Sequence, residues 1–417
     1  MSNQSFHRQS PWLLMISAAA ILMITMGIRQ STGLFVSPLV ESTGLSIASV
    51  SFAMAVGQLM WGVAQPIFGM VADKWGIFKV IVLGALLIAV GFGLTPYAES
   101  QWSLVLTLGV IGASGAGAGS FAILIGATAY QLPPERRSFA GGFINAGGSL
   151  GQFMIVPLTQ AILAAFGWVS AMFALASVVV FTIPLAWVLH RGGRQKLEND
   201  TSSSQQTNKI EKGHEANGSK GLLQQLKEAL KDRNYLFLHA GFFTCGFHVA
   251  FMVTHLPGEV ALHGHSATIS ATAIGIIGLF NIAGSLMVGV LGNYYRMKYL
   301  LAIMYGSRTV LIGLFLLAPK TAVTFFVFSA AMGFTWLATV PPTSGLIAKL
   351  FGTRYLATLF GFVFLTHQIG AFFGAWLGGV AVEYSGDYAW MWYADMVLAF
   401  LAAIVTLPIH EQKIVRS

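Results

Sequence analysis

Charge is what this sequence has least of. Only 9% of its 417 residues are Asp, Glu, Lys or Arg, against roughly a quarter in a soluble domain. So few charges cannot cover a water-facing surface, and lipid must take up most of the exterior. Cysteine is almost absent as well. Cys245 stands alone, which excludes a disulfide framework within the chain and leaves the redox compartment unread. No Gly-x-x-x-x-Gly-Lys-Ser/Thr loop occurs, so ATP is not expected to drive any process. The glycine run at 109, 112, 115, 117 and 119 follows no strand, so its spacing does not make a nucleotide loop. No metal-ligand cluster and no catalytic motif is present. The chain is expected to be no enzyme and to need no cofactor and no metal.

What the sequence has is apolar length. Hydrophobic residues make up 55% of it, and mean hydropathy is +0.71. A bilayer core needs about 20 residues of helix. Segments of that kind recur at 12–37, 46–71, 77–97, 103–131, 138–165, 168–190, 234–260, 268–292, 298–318, 321–348, 355–382 and 389–409. Each must be helical, because a strand with an open edge would leave backbone groups unpaired in hydrocarbon. His7 and Arg8 precede the first run with no small-residue cleavage site after it, so that run is expected to be a retained helix. Residues 191–233 break the pattern. They are rich in Lys, Glu, Ser, Gln and Asn, and such a stretch is expected to be largely disordered, with a short amphipathic helix at 222–229 lying on the membrane surface. The expected organisation is a six-helix bundle at 1–190, a cytoplasmic linker at 191–233 and a second six-helix bundle at 234–417.

Basic residues give the expected orientation. With the N-terminus inside, all of the 23 Lys and Arg except Arg29, Arg308 and Lys320 fall in cytoplasmic segments. Lys74, Lys79, Arg136, Arg137, Arg296, Lys298, Lys349 and Arg354 are among them. The net charge of +8 is thus a topology signal and not a nucleic-acid surface. Both termini are expected in the cytoplasm of a bacterial-type inner membrane, and the chain is expected to work as a monomer.

The two halves repeat. Gly27 falls on Gly246, 219 positions on, and the same offset carries Pro38 to Pro257, Gly142 to Gly361, Gly151 to Gly370, Gly167 to Gly386 and Met172 to Met391. Between the second and third helices the offset becomes 220, with Gly69 on Gly289 and Asp73 on Asn293. Parallel repeats of this kind place a solute site at their interface near the bilayer midplane.

The loop between the second and third helices reads Gly69-Met-Val-Ala-Asp73-Lys74-Trp-Gly76-Ile-Phe-Lys79. It resembles the signature loop of the major facilitator superfamily, and the twelve spans, the long central loop and the degenerate copy at Gly289–Lys298 extend the resemblance over nearly the whole chain. The fold it implies is all-α, twelve transmembrane helices in two six-helix repeats. In that superfamily the loop aspartate holds the halves together on the cytoplasmic side, which makes Asp73, Lys74 and Gly76 candidate gate residues; the helix dipole near Tyr355 at the eleventh helix would favour such an anion. The alternative is that Asp73 and Lys74 only solvate a tight turn. The first helix, Gly27-Ile-Arg29-Gln30-Ser-Thr-Gly33-Leu-Phe-Val-Ser-Pro38, is similar to that of the monocarboxylate and oxalate–formate branch. Two features depart from that branch: the eighth helix carries Asn281 and Ser285 in place of an arginine, and the eleventh carries His367 in place of a lysine. The fifth helix, near Asn145, Gly147, Gly148 and Gly151, is similar to a drug-antiporter motif but lacks its proline.

Ionisable residues in hydrocarbon are costly and point to function. Arg29 in the first helix could offer a planar fork to a carboxylate, or bond backbone carbonyls of a neighbour. His248, its repeat mate in the seventh helix, and His367 could donate to substrate or carry a proton, or only pack. Gln58, Asn145, Asn281 and Trp336 are further candidate substrate contacts, with Trp61, Gln152 and Thr339 beside them, and each could equally bond or pack between helices. Arg308 and Asp395, in the ninth and twelfth helices, are expected to form a structural ion pair. The leading reading is a secondary active transporter of a small organic anion by alternating access, coupled to protons or working by exchange. An exporter of a drug-like or neutral compound, and a receptor or scaffold that kept the transporter fold, remain alternatives.

Overall fold

The computed structural model describes residues 10–129, 131–132, 134–190, 222–292, 294–352 and 355–411, and every regular element among them is helical. Eleven stretches are long and apolar enough to cross a bilayer. One of them, Ala140–His190, runs 51 residues, which is about 75 Å of helix and more than two bilayer cores. Its helix is interrupted at Gly167 (φ 82°, ψ 168°), so it counts as two spans and the total is twelve. In order they are α1 (Pro11–Thr43), α2 (Ile47–Trp75), α3 (Ile77–Tyr97), α4 (Gln101–Thr128), α5 (140–166), α6 (168–190), α7 (Arg233–Leu262), α8 (Ala267–Leu291), α9 (Met297–Leu317), α10 (Ala322–Phe351), α11 (Leu356–Ser385) and α12 (Ala389–Thr406).

Besides a 3₁₀ turn at Val179–Phe181 within α6 and another that ends α3 at Thr95–Tyr97, three spans depart from continuous α-helix in ways that bear on the site. α1 tightens into a 3₁₀ turn at Thr32–Phe35 and then resumes to Thr43, beyond the end expected near 37. α4 contains a π-helical stretch, Val105–Gly112, and breaks at Gly119 and Ser120. α10 breaks between Thr335 and Val340. Pro341 and Pro342 explain that last break. Neither has an N–H to give to the carbonyl four residues earlier, and each ring crowds that carbonyl. The short helix at Leu222–Ala229 is present. Gln225 ties it to the end of α10 by donating to the Phe351 carbonyl at 2.7 Å. The expectation of disorder over 191–221 lies outside the described residues, as do His7 and Arg8.

The repeat is visible in the packing. Gly151 of α5 lies against the Met23 carbonyl of α1, and its repeat mate Gly370 of α11 lies against the Phe243 carbonyl of α7. A Cβ at either position would overlap a backbone oxygen. Small residues let these helix pairs approach closely where no water drives association. Gly167 and Gly386 share a left-handed backbone (φ 82° and 80°) at equivalent turns, as do Gly44 and Gly264 (68° and 76°). The equivalence is not complete, and the difference is testable. At Gly246 an added Cβ would strike the His367 carbonyl, which cannot turn away; at Gly27 it would meet the Ile155 side chain. Gly246→Ala is therefore expected to lose about 1–3 kcal/mol of stability and most of the folded yield. Gly27→Ala should be milder. Thermal melting of the two variants in detergent measures the order, and equal losses would contradict it.

The halves meet along two helix pairs, α2 with α11 and α5 with α8. Most of the named contacts lie towards the end opposite the basic loops. There the Ala48 N–H donates to Glu383 Oε2 at 3.0 Å, Gly379 abuts Ser51, Gly33 abuts the Val253 carbonyl, and Phe52 packs edge-on against Phe372 and Trp376. At the basic end of the same pairs stand Gly69, Gly361, Gly142 and Gly289. Among the described residues, nothing lies within 4 Å of where a Cβ would be on any of the four. The named contacts between the halves thus gather at one end, and small residues with open space beside them stand at the other.

Candidate functional site

The break in α1 sets up its centre. The helix ends at Gln30, where the Ser31 N–H caps the last carbonyls and reaches that of Gly27 at 3.1 Å. Hydroxyls add to this: Ser31 Oγ donates to the Gly27 carbonyl at 2.8 Å, and Thr32 Oγ1 donates to the Arg29 carbonyl at 2.8 Å. Arg29, on the last turn, is half-buried. Its guanidinium donates to Gln58 Oε1 and lies over the Trp61 ring, with Cζ 4.1 Å from the ring centroid. Gln58 and Trp61 are one turn apart on α2, so a single helix face supplies both the acceptor and the π surface. A guanidinium has five N–H donors, and Gln58 is the hydrogen-bond partner the structure gives it. A cavity of about 30 Å³ behind Arg29, bounded by Thr32, Gly57 and Phe92 among others, has room for about one water.

From Trp61 the contacts cross into the other half. The Phe364 ring of α11 meets it edge-on at 5.4 Å, and Phe364 stacks on His367 at 5.5 Å with 6° between planes. Phe242 of α7 closes over His367 at 5.1 Å. Gln368 Nε2 donates to His367 Nδ1 at 3.1 Å, which leaves the ring proton on Nε2. Gln368 Oε1 is buried without a partner. A cation on α1 and an imidazole on α11 thus stand at the two ends of an aromatic ladder that spans the interface of the halves. Sequence reasoning had Arg29, Gln58, Trp61 and His367. It lacked Phe364, whose signal was its place one turn before His367 on the same face.

The remaining candidates go elsewhere. Asn281 is buried and bonded through both its oxygen and its nitrogen. It donates to Ser149 Oγ of α5 at 2.8 Å and accepts from the Leu337 N–H at 3.0 Å and Ser285 Oγ at 3.2 Å. It is an inter-half brace, and it holds an N–H exposed by the break in α10. Asn145 is half-buried on α5. Trp336 is fully buried at the α10 break. His248 is fully buried too, and its Nδ1 bonds Asp395 Oδ2.

That bond corrects the expected pairing of Arg308 with Asp395. Arg308 Nη2 donates to the Thr335 carbonyl and to the Trp336 carbonyl, the latter at 2.8 Å, and Nε donates to Thr335 Oγ1 at 3.3 Å. The broken helix offers unpaired carbonyls close to the guanidinium, and these take it in place of the carboxylate. Asp395 is left to His248. Lys74 is exposed with its ammonium 5.3 Å from the Trp75 ring, and Gly76 ends α2 with φ 88°. The side chain of Asp73 lies outside what is described. A wider cleft of about 340 Å³ lies among the basic loops, lined by Arg296, Lys298, His410 and Glu411. Glu411 there is held by the Lys298 N–H at 2.7 Å and by Lys349 at 3.4 Å.

Comparison with known proteins agrees with this architecture. The model of the Major Facilitator Superfamily matches residues 15–336. The oxalate:formate antiporter of Oxalobacter formigenes is 24% identical over 95% of this chain and 91% of its own length. Monocarboxylate transporter 13 of Rattus norvegicus is also 24% identical, over 96% of this chain and 91% of its own. The crystal structure of a D-xylose–proton symporter superposes with a TM-score of 0.73 at 13% identity, covering 97% of this chain and 99% of that one.

Proposed function

This chain belongs to the major facilitator superfamily and is a multi-pass membrane transporter, and from that premise we propose that it carries a short organic anion, a carboxylate, by alternating access. The observation that supports this reading is the guanidinium of Arg29. It sits half-buried in a membrane helix, steadied by Gln58 and Trp61, with Gln58 its one hydrogen-bond partner among the described residues. A planar fork held on an aromatic face matches a carboxylate in both charge and shape. His367 Nε2–H, across the ladder, supplies a second donor. Two relatives of this chain, named for oxalate, formate and monocarboxylates, fit the same chemistry. Asn145 completes the contacts from α5. Asp73, Lys74 and Gly76 form the gate at the basic end, which faces the cytoplasm of a bacterial-type inner membrane with both termini on that side.

The test is a thermal-shift screen of the purified protein. Oxalate, formate and acetate are expected to raise the melting temperature, and cationic or neutral drug-like compounds are not. The reverse result would favour a flat neutral substrate stacked on Trp61 and Phe364, and an exporter.

A further inference from the structure

Apart from the ladder, the membrane interior holds a second group of ionisable side chains. His248 of α7, Asp395 of α12 and Arg308 of α9 are each 0% exposed. His248 Nδ1 bonds Asp395 Oδ2. Three polar atoms around that bond have no partner: His248 Nε2, Asp395 Oδ1 and Arg308 Nη1. Natural interiors rarely leave buried polar atoms unpaired. The other titratable groups on the elements packed around this pair are Cys245 on α7 itself, Tyr305 beside Arg308 on α9, and His367 on α11, whose backbone crosses α7 at Gly246. From α10 come Trp336 and Thr339, which do not titrate, and from α8 comes Asn281.

We propose that the His248–Asp395 pair is the proton-binding site that couples this carrier to the proton gradient. The inference rests on the transport reading above. With Asp395 ionised, His248 donates through Nδ1 and keeps a bare lone pair on Nε2. Nε2 and Asp395 Oδ1 are the two positions where a proton can add without breaking the bond between the residues. One proton takes the pair from a charge of −1 to 0. Together with Arg308, the group goes from 0 to +1. An anion at Arg29 offsets the added charge. By linkage the anion then raises proton affinity, and the proton raises anion affinity by the same factor.

A contiguous set of contacts joins the pair to the inter-half surface. The Trp336 ring lies 5.8 Å edge-on to His248. The next residue, Leu337, donates its N–H to Asn281, and Asn281 bonds Ser149 in the other half. A change of charge at His248 acts on the broken part of α10, and through Asn281 on the contact that alternating access must break and remake.

Two measurements test the proposal, and the first needs no substrate. Tryptophan fluorescence of the purified parent is followed between about pH 5 and pH 9. A single transition is expected, absent from the control Trp336→Phe, and absent again in His248→Gln and Asp395→Asn. No transition in the parent, or one that survives in either of those last two variants, overturns the proton site even if a variant is poorly stable. The second measurement uses proteoliposomes and labelled oxalate. An inward acid gradient should drive uptake by the parent, and His248→Gln should lose at least tenfold of that drive while oxalate counterflow persists. A merely structural pair would lower gradient-driven uptake and counterflow together, and that result overturns the coupling. If the parent carries no oxalate at all but the fluorescence transition behaves as expected, the carboxylate reading fails and the proton site stands.

Discussion

Arg29→Gln abolishes carboxylate transport in proteoliposomes, and Arg29→Lys leaves about a tenth of it or less, with membrane levels of both proteins close to the parent. These are the expected results, and they follow from what Arg29 touches. Gln58 accepts a single hydrogen bond from it, and Trp61 lies beneath it. Removing the guanidinium therefore strands one buried amide oxygen, at about 1–3 kcal/mol, and exposes one ring face, a smaller loss than deleting a guanidinium that serves three acceptors. Substrate loses more. A hydrogen bond to a charged group contributes about 1.5–3 kcal/mol, and a carboxylate held by a fork makes two. Lysine keeps the charge but offers a point in place of a plane, so about one such bond is lost, and 1.4 kcal/mol is a factor of ten. Direct binding of oxalate to the purified variants decides the matter. An Arg29→Gln protein that binds and transports like the parent would remove the main support for an organic anion.

Arg308→Ala is expected to have the largest effect on stability. Its guanidinium holds the Thr335 and Trp336 carbonyls and the Thr335 hydroxyl at the break in α10. Deleting it leaves those oxygens without a donor in a fully buried site and removes the positive charge near Asp395. Losing one member of a buried charged group costs about 3–5 kcal/mol, and folded protein should be scarce. Arg308→Lys should recover part of it, because an ammonium reaches one carbonyl but cannot fork across two. Exchanging the charges, with Arg308→Asp and Asp395→Arg together, should not rescue the fold, since the two side chains do not pair. Membrane yield and melting temperature measure all three. Rescue by the exchanged pair would restore the direct ion pair; an abundant, stable Arg308→Ala that fails only in transport would move Arg308 into the substrate site.

The spans were legible because hydrocarbon leaves a helix few options, and the positions of Gly27, Gly151 and Gly370 were legible because close helix approach needs them. The ion pairs were not. Arg308 and Asp395 fall at similar depth, but depth along a helix says nothing about which face a side chain leaves from or what else competes for it. The competitor was a pair of carbonyls freed by the break in α10. Pro341 and Pro342 signalled that break, and their missing N–H groups were readable in the sequence. The site was partly legible for a related reason. Arg29, Gln58, Trp61 and His367 are residue types that hydrocarbon tolerates only with a purpose. Phe364 is an ordinary membrane residue, and only its stacking between Trp61 and His367 sets it apart.

Arg29 has one further consequence, which concerns voltage. On the proposed orientation, the empty carrier holds a fixed positive charge in its cavity, while His248, Asp395 and Arg308 sum to zero. When the halves rock, the membrane field is re-partitioned around that charge. In a cell with a negative interior, the empty carrier is drawn towards the state whose cavity opens inward, by up to about 2.3 kcal/mol per 100 mV. A monoanion bound without a proton cancels the charge, so a carrier exchanging one monoanion for another crosses without feeling the field. Membrane potential would thus act on the return of the empty protein and leave exchange of one monoanion for another nearly untouched. The energised membrane would hold the resting carrier in its inward-open state.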